Sequence, residues 1–193
     1  MKLIKNTGSD RVVDELRQAL APPATLDVAS PSFSLFAFAE LRDLLTKLEA
    51  CRLVLPSTPE NDLGLTGASA DRAARNTLQL PWLARECARW IQAKVELRGA
   101  PTALPQSLLS AGLPGTDRHR VISGTCPFTT EGLGTAPGGA FSLIQCSEKP
   151  EESALLGTWF SGLWGSLPSG DAHKAAFLER LTELAQPKAP SLV

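Results

Sequence analysis

Two histidines, His119 and His173, and four cysteines, Cys51, Cys87, Cys126 and Cys146, bound the chemistry open to this 193-residue chain. Hydrolysis by a Ser/His/Asp set needs a nucleophile, a base and an orienting carboxylate. His119 sits in Asp117-Arg118-His119-Arg120. Two flanking arginines disfavour its protonation rather than activate it as a base. No Gly-x-Ser-x-Gly elbow accompanies it. His173 stands at the start of a helical stretch beside Lys174. Both histidines read as surface residues. The cysteines lie 20 to 39 residues apart with no Cys-x-x-Cys pair, which argues against zinc and for buried, reduced thiols. The glycine-rich segment from Gly132-Leu133-Gly134 to Gly138-Gly139 lacks both the Gly-x-Gly-x-x-Gly register and a terminal Gly-Lys-Ser/Thr. It reads as a loop rather than a phosphate cradle.

One stretch is charged unevenly. Between Arg72 and Arg120 stand eight basic residues against Glu86, Glu96 and Asp117. Such a run can meet phosphates, or it can be a solvated helix face.

These residues need elements to hold them. Ser9 is a candidate N-cap for a first helix with an apolar stripe of Val12, Val13, Leu16 and Leu20, stopped by Pro22-Pro23. Thr25-Leu26-Asp27-Val28-Ala29 reads as a strand. A helix over about 35–50 follows, with Leu41, Leu44, Leu45 and Leu48 inward. Cys51-Arg52-Leu53-Val54-Leu55 reads as the next strand, and 56–70 as a surface loop. Pro81 suits the first turn of a third helix carrying Leu83, Cys87, Trp90 and Ile91, and Val95-Glu96-Leu97-Arg98 then gives a strand ended by Gly99. The stretch 100–115 is too rich in proline and glycine to assign. A strand is expected at 120–123, a loop over 124–139, a β-prone segment at 140–146 and two closing helices. The first carries Leu155 to Trp164, the second Ala175 to Leu184. The alternation of helix and strand predicts an α/β fold: a mixed, mainly parallel sheet with helices on both faces. One domain over 1–186 is expected, with 187–193 a tail or a linker to a following domain.

Composition narrows the setting. Apolar residues make up 43%, charged residues 20%, and the net charge is −1, which excludes wholesale disorder and a globally basic nucleic-acid binder. No apolar run approaches a membrane span, and the start of the chain lacks the apolar core of a signal peptide. A cytoplasmic address, without membrane contact and without a cofactor, is the expectation.

The order of the segments resembles a known family. Lys2-Leu3-Ile4-Lys5-Asn6, then Val12 to Leu16, Leu26 to Ser30, Phe33-Ser34-Leu35, Leu41 to Leu45 and Arg52 to Leu55 follow in turn. Leu83 to Trp90 and Lys94 to Arg98 come next. Gly124-Thr125-Cys126-Pro127-Phe128-Thr129 with Gly132-Leu133 resembles a GSSNFT…GL segment, and Trp159-Phe160 with Leu163-Trp164 resembles an aromatic C-terminal helix. The chain in this respect is similar to the phospholipase D-like N-terminal domains of bacterial restriction and phage-defence helicases. That family cleaves phosphodiesters with His-x-Lys, a downstream acid and the Asn of the GSxxN segment, two sets meeting in one site.

By the same resemblance, the His, Lys and Asn positions fall here on Leu104, Gln106 and Pro127. Leucine is no nucleophile, glutamine carries no charge, and proline has no side-chain donor. The resemblance therefore implies a catalytically inactive domain that serves DNA binding or assembly in a helicase or restriction complex. Lys94, Arg98, Arg118 and Arg120 are the residues expected to meet duplex DNA. They share a face only if the strands that carry them run antiparallel. A homodimer, or a helicase partner domain, is expected as the second half, with Leu104, Leu108 and Leu109 at the seam. The alternatives are a pure protein-interaction or dimerisation module, a nuclease with displaced catalytic residues, and a small-molecule binder.

Overall fold

The computed structural model describes residues 1–57, 63–116, 118–139 and 141–187. Seven strands form one sheet: β1 (Lys2–Leu3), β2 (Thr25–Ala29), β3 (Ala50–Pro56), β4 (Val95–Ala100), β5 (Ser107–Gly112), β6 (His119–Gly124) and β7 (Ile144–Cys146). Their order across the sheet is β1-β7-β6-β5-β2-β3-β4. The expected α/β architecture with a mixed sheet is therefore present. Its parallel part is smaller than the sequence suggests. Only β2–β3 and β3–β4 pair parallel, and the other four neighbours pair antiparallel. Two antiparallel steps separate β2 from β6, so β6 runs in the same direction as β2, β3 and β4. We refer to the carboxyl ends of these four strands as the head of the sheet and to their amino ends as the foot.

Strand alternation sends every second side chain to each face. Leu26, Val28, Leu53, Leu55, Val95, Leu97, Leu109 and Ile122 go to the first face. There they meet the helices α1 (Val12–Ala19), α2 (Leu35–Leu45), α4 (Leu80–Lys94) and α7 (Asp171–Ala185). Ala29, Val54, Ala100, Leu108 and Val121 go to the second face, under Phe160 and Trp164 of α6 (Pro150–Ser166). Two short helices, α3 (Ser69–Ala74) and α5 (Thr130–Leu133), complete the set.

Several boundaries differ from the sequence expectation for physical reasons. Ser9 does not cap α1. The side chain of Asn6, in the left-handed region at φ 60°, accepts the Val12 N–H at 3.0 Å and donates to the carbonyls of Glu131 and Gly132. The cap is thus a long-range device that links α1 to α5. The second helix stops at Leu45, because 50 already pairs in β3. The unassigned stretch 100–115 contains β5, the strand joining the antiparallel to the parallel part. All six of its residues are buried because helices cover both sides, which erases the alternation that betrays a strand. The loop expected over 56–70 ends in α3, and that over 124–139 contains α5. Of the expected tail, 188–193 lies outside the described residues, as do 58–62, 117 and 140.

Candidate functional site

Leu104 and Gln106 lie just before β5, at the head of the sheet, and Pro127 lies just after β6. The topology brings the three family positions to the same end of adjacent strands, but they do not converge on one site. Gln106 is exposed and opens a cleft of about 610 Å³. Leu104 packs on the second-face core. Pro127 does not line the cleft. Its carbonyl accepts the Thr129 N–H at 2.7 Å.

Polar groups of the neighbouring segment are engaged internally. The Ser30 hydroxyl accepts the Phe128 N–H at 2.9 Å, and Thr129 Oγ1 accepts the Gly132 N–H at 3.1 Å. Thr130 donates to the buried Asp71 carboxylate at 2.5 Å, and Arg75 Nε donates to the other oxygen at 3.0 Å. Gly134 closes α5 at φ 81°, and a Cβ there would stand 2.3 Å from Asn6 Oδ1. The segment is a braced corner, with its polar side chains turned inward rather than toward a phosphate. Ser107 forms part of the cleft wall, and its buried hydroxyl, on the first-face side of β5, has no partner among the described residues.

The cleft itself is apolar where the resemblance implies charge. Leu108, Leu143, Leu155, Leu156 and Trp159 line it, with Ser123, Thr125 and Gln145 on its floor and rim. Leu155 is 74% exposed and Trp159 46%. Leu3, exposed on β1, pairs with Gln145 at the adjoining sheet edge. From Ser153 to Gly170 the chain has no charged residue, although much of α6 faces outward. That uncharged outward helix face is the feature the sequence reading passed over. Its signal was the same 18-residue gap in charge.

The four basic residues expected at duplex DNA are not brought together. β4 and β6 run in the same direction, so the antiparallel condition for a shared face fails. Three strands stand between them, about 19 Å in four spacings. Arg98 points to the second face near the head, where it lies 4.4 Å over the Trp164 ring and donates to the Trp164 carbonyl at 2.7 Å. Arg120 points to the first face and pairs with the buried Glu15, which also takes Lys2. Lys94 and Arg118 lie at the foot, at the starts of β4 and β6. Arg98 and Arg120 are thus structural ties, and the expected joint surface is withdrawn. The dimer seam needs the same correction. Leu108 and Leu109 are 2% and 0% exposed, covered by the chain's own helices.

Other chemistry is limited. All four cysteines are free and buried, and burial pushes the Cys126 thiol up to about 12 and raises Cys51, Cys87 and Cys146 as well. None is a ready thiolate. Among the described residues no group of three His, Cys, Asp or Glu side chains is placed to hold a metal ion. No helix among them is long and apolar enough to cross a membrane. A scan against protein-family models matches none, and no curated protein matches the chain.

Proposed function

We propose that the chain is an assembly domain: a phospholipase D-like fold without phosphodiester chemistry, whose vacated cleft takes up an apolar element of a partner protein. The observation that carries this reading is the cleft at Gln106, walled by Leu143, Leu155, Leu156 and Trp159 with Leu155 and Trp159 left exposed. Exposed apolar side chains grouped in a concavity are characteristic of docking sites, and aromatic residues dominate such contacts. A phosphate-binding cleft would instead present cations, and no charged side chain lines this one. In the setting the family resemblance implies, the partner is a helicase or restriction subunit, or a second copy of the chain, in the cytoplasm. Leu104, Gln106 and Pro127 leave no cleaving set, so the purified chain is expected to leave phosphodiesters intact with or without divalent metal.

A photoreactive side chain at position 106 tests the reading. It is expected to form adducts with protein in the host cell, and Trp159→Ser is expected to remove them. Adducts to nucleic acid at that position, or duplex affinity that falls steeply with salt and survives Trp159→Ser, would return the function to DNA binding.

A further inference from the structure

At the foot of the sheet two clefts of about 400 and 390 Å³ adjoin, the first at the sheet's end between the close of α1 and the start of α6, the second on the polar second face, with His119 and Pro150 forming part of the wall of both. Arg118 and Lys149 line the first. Asp27, Ser110, Thr158 and Ser161 line the second. We propose that this double cleft binds a small sugar phosphate, with the phosphate held by Arg118 and Lys149 and the hydroxylated body lying across His119 toward Ser110.

The groups differ in what they already touch. Glu148, the acid in the first cleft, is paired with the amino terminus at 3.2 Å, so its charge is answered. Neither Arg118 nor Lys149 has an ion-pair partner among the described residues. Two free cations in one concavity suit a dianionic phosphate, which the guanidinium meets with paired donors.

In the second cleft, Asp27 is held by Arg52 through two bonds of 2.8 and 2.7 Å. Ser153 Oγ donates to the His119 carbonyl at 2.8 Å and lies 2.9 Å from Ser147 Oγ, whose hydroxyl it can accept. Ser110 stands opposite Asp27 in the β2–β5 register, is 9% exposed, and has a hydroxyl without a partner among the described residues. The Ser110 oxygen is not among the buried unpartnered atoms, so it opens onto the cleft, where a ligand hydroxyl can reach it. The ring of His119 is likewise without a hydrogen bond among the described residues. It lies against Gly112, where a Cβ would stand 2.4 Å from the Arg118 carbonyl oxygen and 2.5 Å from the imidazole Nδ1, so glycine is needed there for both the backbone and the ring.

Volumes of this size suit a small ligand. Apart from His119 the lining holds no aromatic ring on which a base could stack, which favours a sugar phosphate over a nucleotide or a nucleic-acid strand. The site lies at the opposite end of the sheet from the apolar cleft, and it stands or falls independently of the docking reading.

With only two histidines, proton NMR of the full chain reads the site directly, and His173→Gln assigns the signals. Ribose 5-phosphate is expected to move the His119 ring signals saturably below about 10 mM, binding about tenfold tighter than inorganic phosphate. Arg118→Ala with Lys149→Ala is expected to weaken both ligands by about tenfold or more. Ser110→Ala is expected to bring ribose 5-phosphate down toward the affinity of inorganic phosphate, with an unchanged amide spectrum elsewhere. No saturable shift overturns the proposal. So does equal binding of the two ligands, an unmoved affinity in the double variant, or a DNA oligomer that displaces the sugar phosphate.

Discussion

Four helices cover one face of the sheet and a single helix covers the other, and the side chains beneath differ accordingly. Under α1, α2, α4 and α7 the packing is apolar and aromatic. Phe33 stacks on Phe128 at 4.9 Å and meets Phe177 edge-on at 5.9 Å and Trp90 at 6.4 Å. Under α6 the sheet carries Asp27, Arg52, Arg98, Ser110 and His119 among a few apolar residues. There the rings of Phe160 and Trp164 serve the guanidinium groups as much as one another, with Arg52 at 5.1 and 5.6 Å from them. Beneath four helices the strands contribute mostly apolar side chains to a closed core. Under the single helix the sheet's own side chains reach clefts, and the apolar cleft at Gln106 and the cleft at Asp27 and Ser110 both lie there.

The largest expected effect lies on the sealed face. Phe33→Ala removes a fully buried ring from an aromatic cluster and is expected to cost about 3–5 kcal/mol, read as a fall in the urea midpoint. A cost below about 1 kcal/mol would mean that this face can collapse around the loss, and the contrast between the faces would not hold.

The same contrast explains how much could be read from residues alone. Elements with one clean stripe were legible: α4 from Leu83, Cys87, Trp90 and Ile91 behind Pro81, and β2 and β3 from their short apolar runs between turn residues. β5 was not, since burial on both sides leaves a Ser-Leu-Leu-Ser-Ala-Gly string with no period. Local patterns also say little about strand direction. The β4 and β6 segments each read as strands, and only the pairing through β5 fixes that both run the same way. That one fact dissolved the expected grouping of Lys94, Arg98, Arg118 and Arg120. Charge counting likewise saw Arg98 and Arg120 as available, because the Trp164 carbonyl and Glu15 lie 66 and 105 residues away in sequence. Gln106 was placed through the resemblance, whereas the apolar wall facing it comes from 143–159 and needed the fold to arrive there.

A smaller effect is expected at the rim, where α7 begins beside β4. His173 packs on Gly99, and its Nε2 is buried without a partner among the described residues. Burial lowers its pKa from the ordinary 6.5, since the imidazolium is poorly solvated there. The unfolded chain therefore holds that proton more tightly than the folded one. Stability from this group is full above about pH 6.5 and declines as pH falls from there through the lowered folded value. Urea midpoints at about pH 7.5 and 5 are expected to differ less in His173→Gln than in the wild type. An equal difference in both would assign the acid sensitivity elsewhere.

The smallest expected effect is at Leu155, and its smallness is what makes it informative. Were this residue part of the fold's core, replacing it with a charged side chain would bury or strand that charge. It is 74% exposed on the outward side of α6, and lysine is as good a helix former as leucine. Leu155→Lys should therefore change stability by no more than about 0.5 kcal/mol. The same change sets an ammonium at the wall of the cleft beside Trp159, where an apolar partner would have to desolvate it. Protein adducts at position 106 should then disappear while the urea midpoint stays where it was. A midpoint that drops by more than about 1 kcal/mol would place Leu155 in the core and make the second face as sealed as the first. Unchanged adducts with unchanged stability would mean that the partner reaches position 106 without touching α6, and the cleft would have to be read from its β5–β7 side alone.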